Sequence, residues 1–196
     1  MANNQSWEYY QQALSGNTIA NLFWMCGAAN GAVYSPGRQL IQNVLMAVPF
    51  DQMRAVTASR IAIQVLTAGN AGAKCRLGIY QNAGSTDSAP RTLVEDGGEL
   101  DITTTGFKSL TIDVNLTADT RYWAALLSNN TNAVVAALQP QSIIFWGAAL
   151  SGGVLLPASG VQATQNYGAL PNSFPSPTLV QGASMPAIAL GFSNVS

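Results

Sequence analysis

The densest set of reactive side chains in the sequence is Glu95-Asp96-Gly97-Gly98-Glu99-Leu100-Asp101, with four carboxylates in seven positions. Paired carboxylates serve general acid–base catalysis, and several together bind calcium. Here Asp-Gly-Gly sits between two short strand-like runs, which is a hairpin signal, and the string lacks the alternating Asp/Asn of an EF-hand loop. The spacing therefore predicts a solvated turn, with Ca²⁺ binding as the alternative. The remaining carboxylates are Glu8, Asp51, Asp87, Asp113 and Asp119. Glycoside hydrolysis needs two of them facing each other across a cleft, and no spacing selects such a pair.

The other ingredients of common catalysis are missing. With no histidine among 196 residues, Ser-His-Asp and Cys-His catalysis and imidazole-based metal sites are excluded. Cys26 and Cys75 lie far apart with no second motif, and Cys75 falls inside an alternating strand pattern, so free thiols from a reducing cytoplasm are expected. Gly69-Asn70-Ala71-Gly72 and Ser151-Gly152-Gly153 lack the Lys-Ser/Thr of a phosphate-binding loop and read as turns. The expectation is a protein that is not an enzyme, with no catalytic residue, no metal and no cofactor. Trp123, Trp146, Tyr80 and Tyr167 are candidates for stacking on a glycan. Trp123 and Trp146 sit in apolar runs and read as core or subunit-interface residues, whereas Tyr167 is the more exposed of the set.

Composition bounds the partners. Eight Lys+Arg against nine Asp+Glu give a net charge of −1, which excludes a basic nucleic-acid binder. Hydrophobic residues make up 48% and charged residues only 9%, well below the usual share of about 25%. Arg121 is the last charged residue, and the 75 positions after it carry none. Such a segment fits a face buried against another subunit or partner, or a neutral surface of Asn, Gln, Ser and Thr. The most apolar stretch, residues 143–156, is broken by Ser151-Gly152-Gly153 and is shorter than the roughly 20 residues of a spanning helix, so no membrane partner is expected. The N-terminus lacks the Lys or Arg that opens a secretory signal.

The elements that would position these residues are strands. Residues 1–36, with Trp7, Tyr9, Tyr10 and Phe23 and the single charge Glu8, read as an N-terminal docking arm, with packing on its own domain as the alternative. From about Gln39 the hydrophobic period is two. Ile61, Ile63 and Val65 alternate with smaller or polar residues, as do Cys75, Leu77 and Ile79. Leu110, Ile112, Val114 and Leu116 alternate with Ser109, Thr111, Asp113 and Asn115, which predicts one buried and one solvated face. Residues 122–127, 133–138 and 142–149 are apolar on both faces, as expected of central strands or strands covered by a neighbouring subunit. Five prolines between residues 150 and 186 predict a Pro/Gly-rich excursion, and residues 187–192 a short final strand. The fold class is all-β: a jelly-roll-like or Greek-key β-sandwich over residues 37–196 with an extended N-terminal arm.

Several short blocks in the middle of the chain have a familiar order. They are Pro49-Phe50, Arg76-Leu77-Gly78-Ile79-Tyr80, Pro90 with Leu93-Val94, Gly97 with Leu100-Asp101, Gly106, and Leu116 through Arg121-Tyr122-Trp123-Ala124-Ala125. Over about residues 49–127 the chain resembles a recurrent module of bacteriophage virion proteins, found in tail-associated and capsid-associated β-sandwiches. The resemblance implies a non-enzymatic, usually trimeric structural domain exposed on a phage particle. Having a short arm and one domain in place of a shaft, a triple-helix repeat or heptads, the chain is closer to a capsid decoration, or cement, protein than to tail-fibre members.

The expected mechanism follows. Three copies would associate through the charge-free C-terminal strands, burying Leu138, Phe145, Trp146 and Leu150. The arm, through Trp7, Tyr9, Tyr10 and Phe23, would dock on the major capsid protein at the outer capsid surface of the virion. The alternative is a tail-associated receptor-binding module that recognises a host surface glycan.

Overall fold

A computed structural model of the chain describes residues 23–26, 34–84, 89–140, 148–151 and 154–195. They form an all-β sandwich of two antiparallel sheets, each of seven strands. The first sheet contains β1 (Phe23–Met25), β2 (Tyr34–Gln39), β4 (Val56–Thr67), β7 (Gly106–Leu116), β9 (Val134–Leu138), β13 (Met185–Pro186) and β14 (Ala189–Val195). The second contains β3 (Val44–Gln52), β5 (Lys74–Asn82), β6 (Pro90–Asp101), β8 (Thr120–Ser128), β10 (Ala148–Ser151), β11 (Val154–Thr164) and β12 (Thr178–Gln181). The described residues contain no α-helix.

Period-two patterning explains the interior. Ile61, Ile63 and Val65 of β4 and Ile112, Val114 and Leu116 of β7 face Cys75, Leu77 and Ile79 of β5 and Met46, Val48 and Phe50 of β3 across the main core. Thr111, Asp113 and Asn115 face solvent, as their alternation predicts. At about 25 cal/mol per Å² of apolar surface, this interleaving is the main source of stability.

The middle of the second sheet is buried on both faces. Leu45 and Ala47 of β3, Tyr80 of β5, and Trp123, Ala125 and Leu127 of β8 point away from the main core into a second one, closed by Leu170 and Phe174. The cover is residues 165–177, which run across the outer face of the sheet. Tyr80 and Phe174 meet edge to face with ring centroids 5.1 Å apart. Gly78 makes the close approach possible, since a Cβ there would run into the Leu170 side chain and the Glu95 carbonyl oxygen. Double-sided apolar patterning in residues 122–127 thus has an intramolecular cause.

Three expectations are corrected by the strands. Phe23–Met25 pairs antiparallel with β14, Cys26 is fully buried, and β2 pairs with β9, so the sheet begins inside the segment 1–36 read as an arm. The excursion expected over 150–186 contains β11, β12 and β13, and only residues 165–177 are an irregular crossing. Its prolines sit where pairing tolerates them: Pro157 and Pro186 lie in strands, whereas Pro171, Pro175 and Pro177 lie in the cover. The acidic string 95–101 is not a turn. β6 runs straight through it, the β5–β6 register shifts at Leu77/Gly78, and Gly98 adopts φ 96°. The connection between these strands lies instead between Asn82 and Pro90.

Candidate functional site

The side chains expected to carry docking and association are distributed unevenly. Trp7, Tyr9, Tyr10, Phe145 and Trp146 lie outside the described residues. Phe23 pairs with Gly191 at the edge of the first sheet, and Leu150 pairs with Leu155 in the β10–β11 hairpin. Leu138 is fully buried in the chain's own main core, paired with Met185 and Tyr34, and this burial accounts for its apolar character without a second copy. Of the candidate glycan-stacking residues, Tyr80 and Trp123 are fully buried beneath the cover, while Tyr167 is half-buried at its edge.

Charge is segregated across the sandwich. β6 packs beside β7, and this flank, with β5 and β4, carries Arg60, Lys74, Arg76, Arg91, Glu95, Asp96, Glu99, Asp101, Lys108 and Asp113. β1, β9, β10, β11, β12, β13 and β14 carry no charged residue. They include the edge strands β1, on β14 in the first sheet, and β12, on β11 in the second, while the other outer strand of the first sheet, β2 on β9, carries Arg38. Val161 and Gln162 pair with β3 on one side and with β12 on the other, so β12 is the outer strand there, and its Leu179 is 42% exposed.

One carboxylate holds the cover in place. Asp96 accepts from Arg76 Nε and Nη2 at 3.2 and 2.9 Å, from the Gly98 N–H at 3.1 Å and from the Leu170 N–H at 3.0 Å. The Arg76 and Asp96 side chains are 18% and 19% exposed, so the pair is poorly screened. Tyr80 donates its hydroxyl to the Pro171 carbonyl at 2.9 Å, and the Leu93 and Phe174 N–H groups exchange bonds with Asn172 and Arg91. Tyr167 donates to Glu99 Oε1 at 3.1 Å, and Lys74 Nζ reaches Glu99 Oε2 at 2.7 Å; these two bonds hold the Glu99 carboxyl below the usual range. Asn43, in the left-handed region at φ 61°, accepts from the Gln165 and Tyr167 N–H groups. The acidic string is therefore a structural clamp.

A polar cleft of about 590 Å³ opens at one end of the second sheet. The end of β3 supplies Asp51, Gln52 and Met53, the end of β5 supplies Gln81, Asn82 and Gly84, and the β7–β8 turn supplies Asp119, Thr120 and Arg121. Direct cross-strand pairing of Asp51 with Arg121 sets a bidentate ion pair, with Nε and Nη2 at 2.7 and 2.9 Å from the two carboxylate oxygens. Hydrogen bonding to Asp51 raises the Arg121 pKa further. Asn82 is fixed from both sides, accepting from Trp123 Nε1 at 2.9 Å and donating to the Gly84 carbonyl at 2.6 Å. Gln52 is buried and donates Nε2 to the Arg54 carbonyl at 2.6 Å.

No sequence signal announces this cleft, because residues 51–53, 81–84 and 119–121 meet only through strand pairing. Cys26 and Cys75 are buried free thiols, and burial pushes the Cys75 pKa up to about 12. Among the described residues no cluster of three or more His, Cys, Asp or Glu could hold a metal, and no helix is long and apolar enough to cross a membrane. No family model, curated protein or solved structure matches the chain.

Proposed function

We propose that this chain is a structural protein of a bacteriophage virion, a capsid decoration (cement) protein that binds the outer capsid surface as a homotrimer and stabilises the shell. The observation that carries the proposal is the segregation of charge. One flank of the sandwich bears most of the charged strands, the edge strands β1 and β12 bear none, and Arg38 of β2 is the one charge beyond β9 among the described strands. Depletion of charge is what distinguishes the centre of a contact from an ordinary surface. The blocks that resemble phage virion sandwiches support the same reading: Pro49-Phe50, Arg76–Tyr80, Pro90–Val94 and Arg121–Ala125 fall on β3, β5, β6 and β8 of the second sheet, while Gly106 and Leu116 bound β7 of the first.

In this role the chain is made in the host cytoplasm, contacts itself and the major capsid protein, and uses no cofactor. β1 brings the N-terminal segment in at the edge of the first sheet, beside the uncharged flank, where an arm can reach a neighbour. Each contact is weak on its own, and repetition around the shell supplies avidity. Immunogold labelling of the phage that encodes the chain tests the proposal. Label over the head is the expected result, label confined to the tail selects the receptor-binding alternative, and unlabelled, accessible particles overturn the virion assignment.

A further inference from the structure

We infer that the cleft between the ends of β3 and β5 and the β7–β8 turn is a binding site for a neutral saccharide. The inference concerns the isolated chain and does not rest on where the chain sits on a particle.

Charge narrows the ligand class. Among the described residues the lining holds Asp51, Asp119 and Arg121, a net of one negative charge, and the Arg121 guanidinium is neutralised by its bidentate pair with Asp51. An anionic ligand would meet an unpaired carboxylate and no free cation. A divalent cation would find two carboxylates with a guanidinium bonded to one of them. An apolar ligand would have to desolvate Asp119, Arg121, Gln81 and Thr120 without replacing their bonds to water. A polyhydroxylated neutral molecule meets none of these costs, because each hydroxyl both donates and accepts.

The wall groups match that chemistry. After two bonds to Asp51, the guanidinium keeps three of its five N–H donors, held in a fixed plane. Gln52 is 2% exposed and spends Nε2 on the Arg54 carbonyl, so it serves as a fixed part of the wall. Gln81 adds an exposed carboxamide, Thr120 donates to the Ala118 carbonyl and keeps its hydroxyl lone pairs, and Asp119 adds a carboxylate acceptor. Met53, 40% exposed, offers apolar surface for a sugar face. The site is held in advance of binding: Asn82 is locked between Trp123 and Gly84, and Asp51 and Arg121 are opposed across paired strands.

Saturation-transfer NMR on the full chain tests this. The probes are neutral hexose and N-acetylhexosamine oligosaccharides, with uronic-acid and sialylated counterparts as controls. The expected result is transfer to at least one neutral oligosaccharide at millimolar concentration, reduced at least about fivefold by Gln81→Ala and by Arg121→Lys, which keeps the charge and loses the fork. Gln81→Ala changes an exposed side chain, so its result stands even if Arg121→Lys impairs folding. No transfer to any neutral probe, transfer that survives Gln81→Ala, or equal or stronger transfer to the acidic probes would each overturn the inference.

Discussion

A single carboxylate does more for this fold than its place in a Gly-rich string suggests. Asp96 joins β5, its own β6 and the cover over residues 165–177 through four hydrogen bonds. Replacing Asp96 with Ala strands the Arg76 guanidinium and the Leu170 N–H, and is expected to cost about 1–3 kcal/mol in urea unfolding. Proton linkage gives a second prediction at this scale. Burial raises the pKa of Cys26 and Cys75, and burial followed by a neighbouring carboxylate raises that of Tyr80 and Tyr167. In each case the folded state holds the proton more tightly than the unfolded chain. The stability contributed is intact below the ordinary thiol value of 9.0 and is lost as the pH climbs toward the folded values, about 12 for Cys75. Urea midpoints should therefore stay level from about pH 7 to about pH 8.5 and fall above it. Both thiols should resist a thiol reagent until the chain unfolds.

At the scale of elements, the cover depends on a missing side chain. Gly78→Ala would press on Leu170 and on the Glu95 carbonyl, and is expected to destabilise by about 1–3 kcal/mol, read as a lower urea midpoint together with enhanced fluorescence quenching of Trp123 as the cover loosens. Strands were the legible part of the sequence. The alternation in 110–116 and in Ile61, Ile63 and Val65 reports directly which face is buried, and both strands form with those faces inward. The acidic string departs from the expected turn because Asp-Gly-Gly is a turn signal only when the chain reverses. Here Gly98 absorbs a bulge and Asp96 finds its partners on β5 and on a segment 74 residues away. The cover is illegible for a related reason: Leu170 and Phe174 have no periodicity, and their burial depends on a sheet face assembled from four strands, β3, β5, β8 and β11.

For the whole molecule, the uncharged flank makes oligomerisation the natural test. Leu179→Lys places a charge on the outer strand β12. It should weaken association by about tenfold or more, equivalent to about 1.4 kcal/mol, in native mass spectrometry or sedimentation, while leaving the monomer's unfolding midpoint nearly unchanged. Because Phe23–Met25, Cys26 and β2 belong to the first sheet, removing residues 1–22 is the deletion that isolates the arm. It should leave a folded chain that no longer binds capsids. The same pairings carry a consequence in time. Phe23 meets Gly191, and β2 meets a strand about a hundred positions further on, so the first sheet is stitched from segments far apart in the sequence. Topologies of such high contact order fold slowly, in milliseconds to seconds, because long loops must close before their strands can pair. On the ribosome β1 emerges long before its partner. Its edge stays open until Gly191 has cleared the exit tunnel.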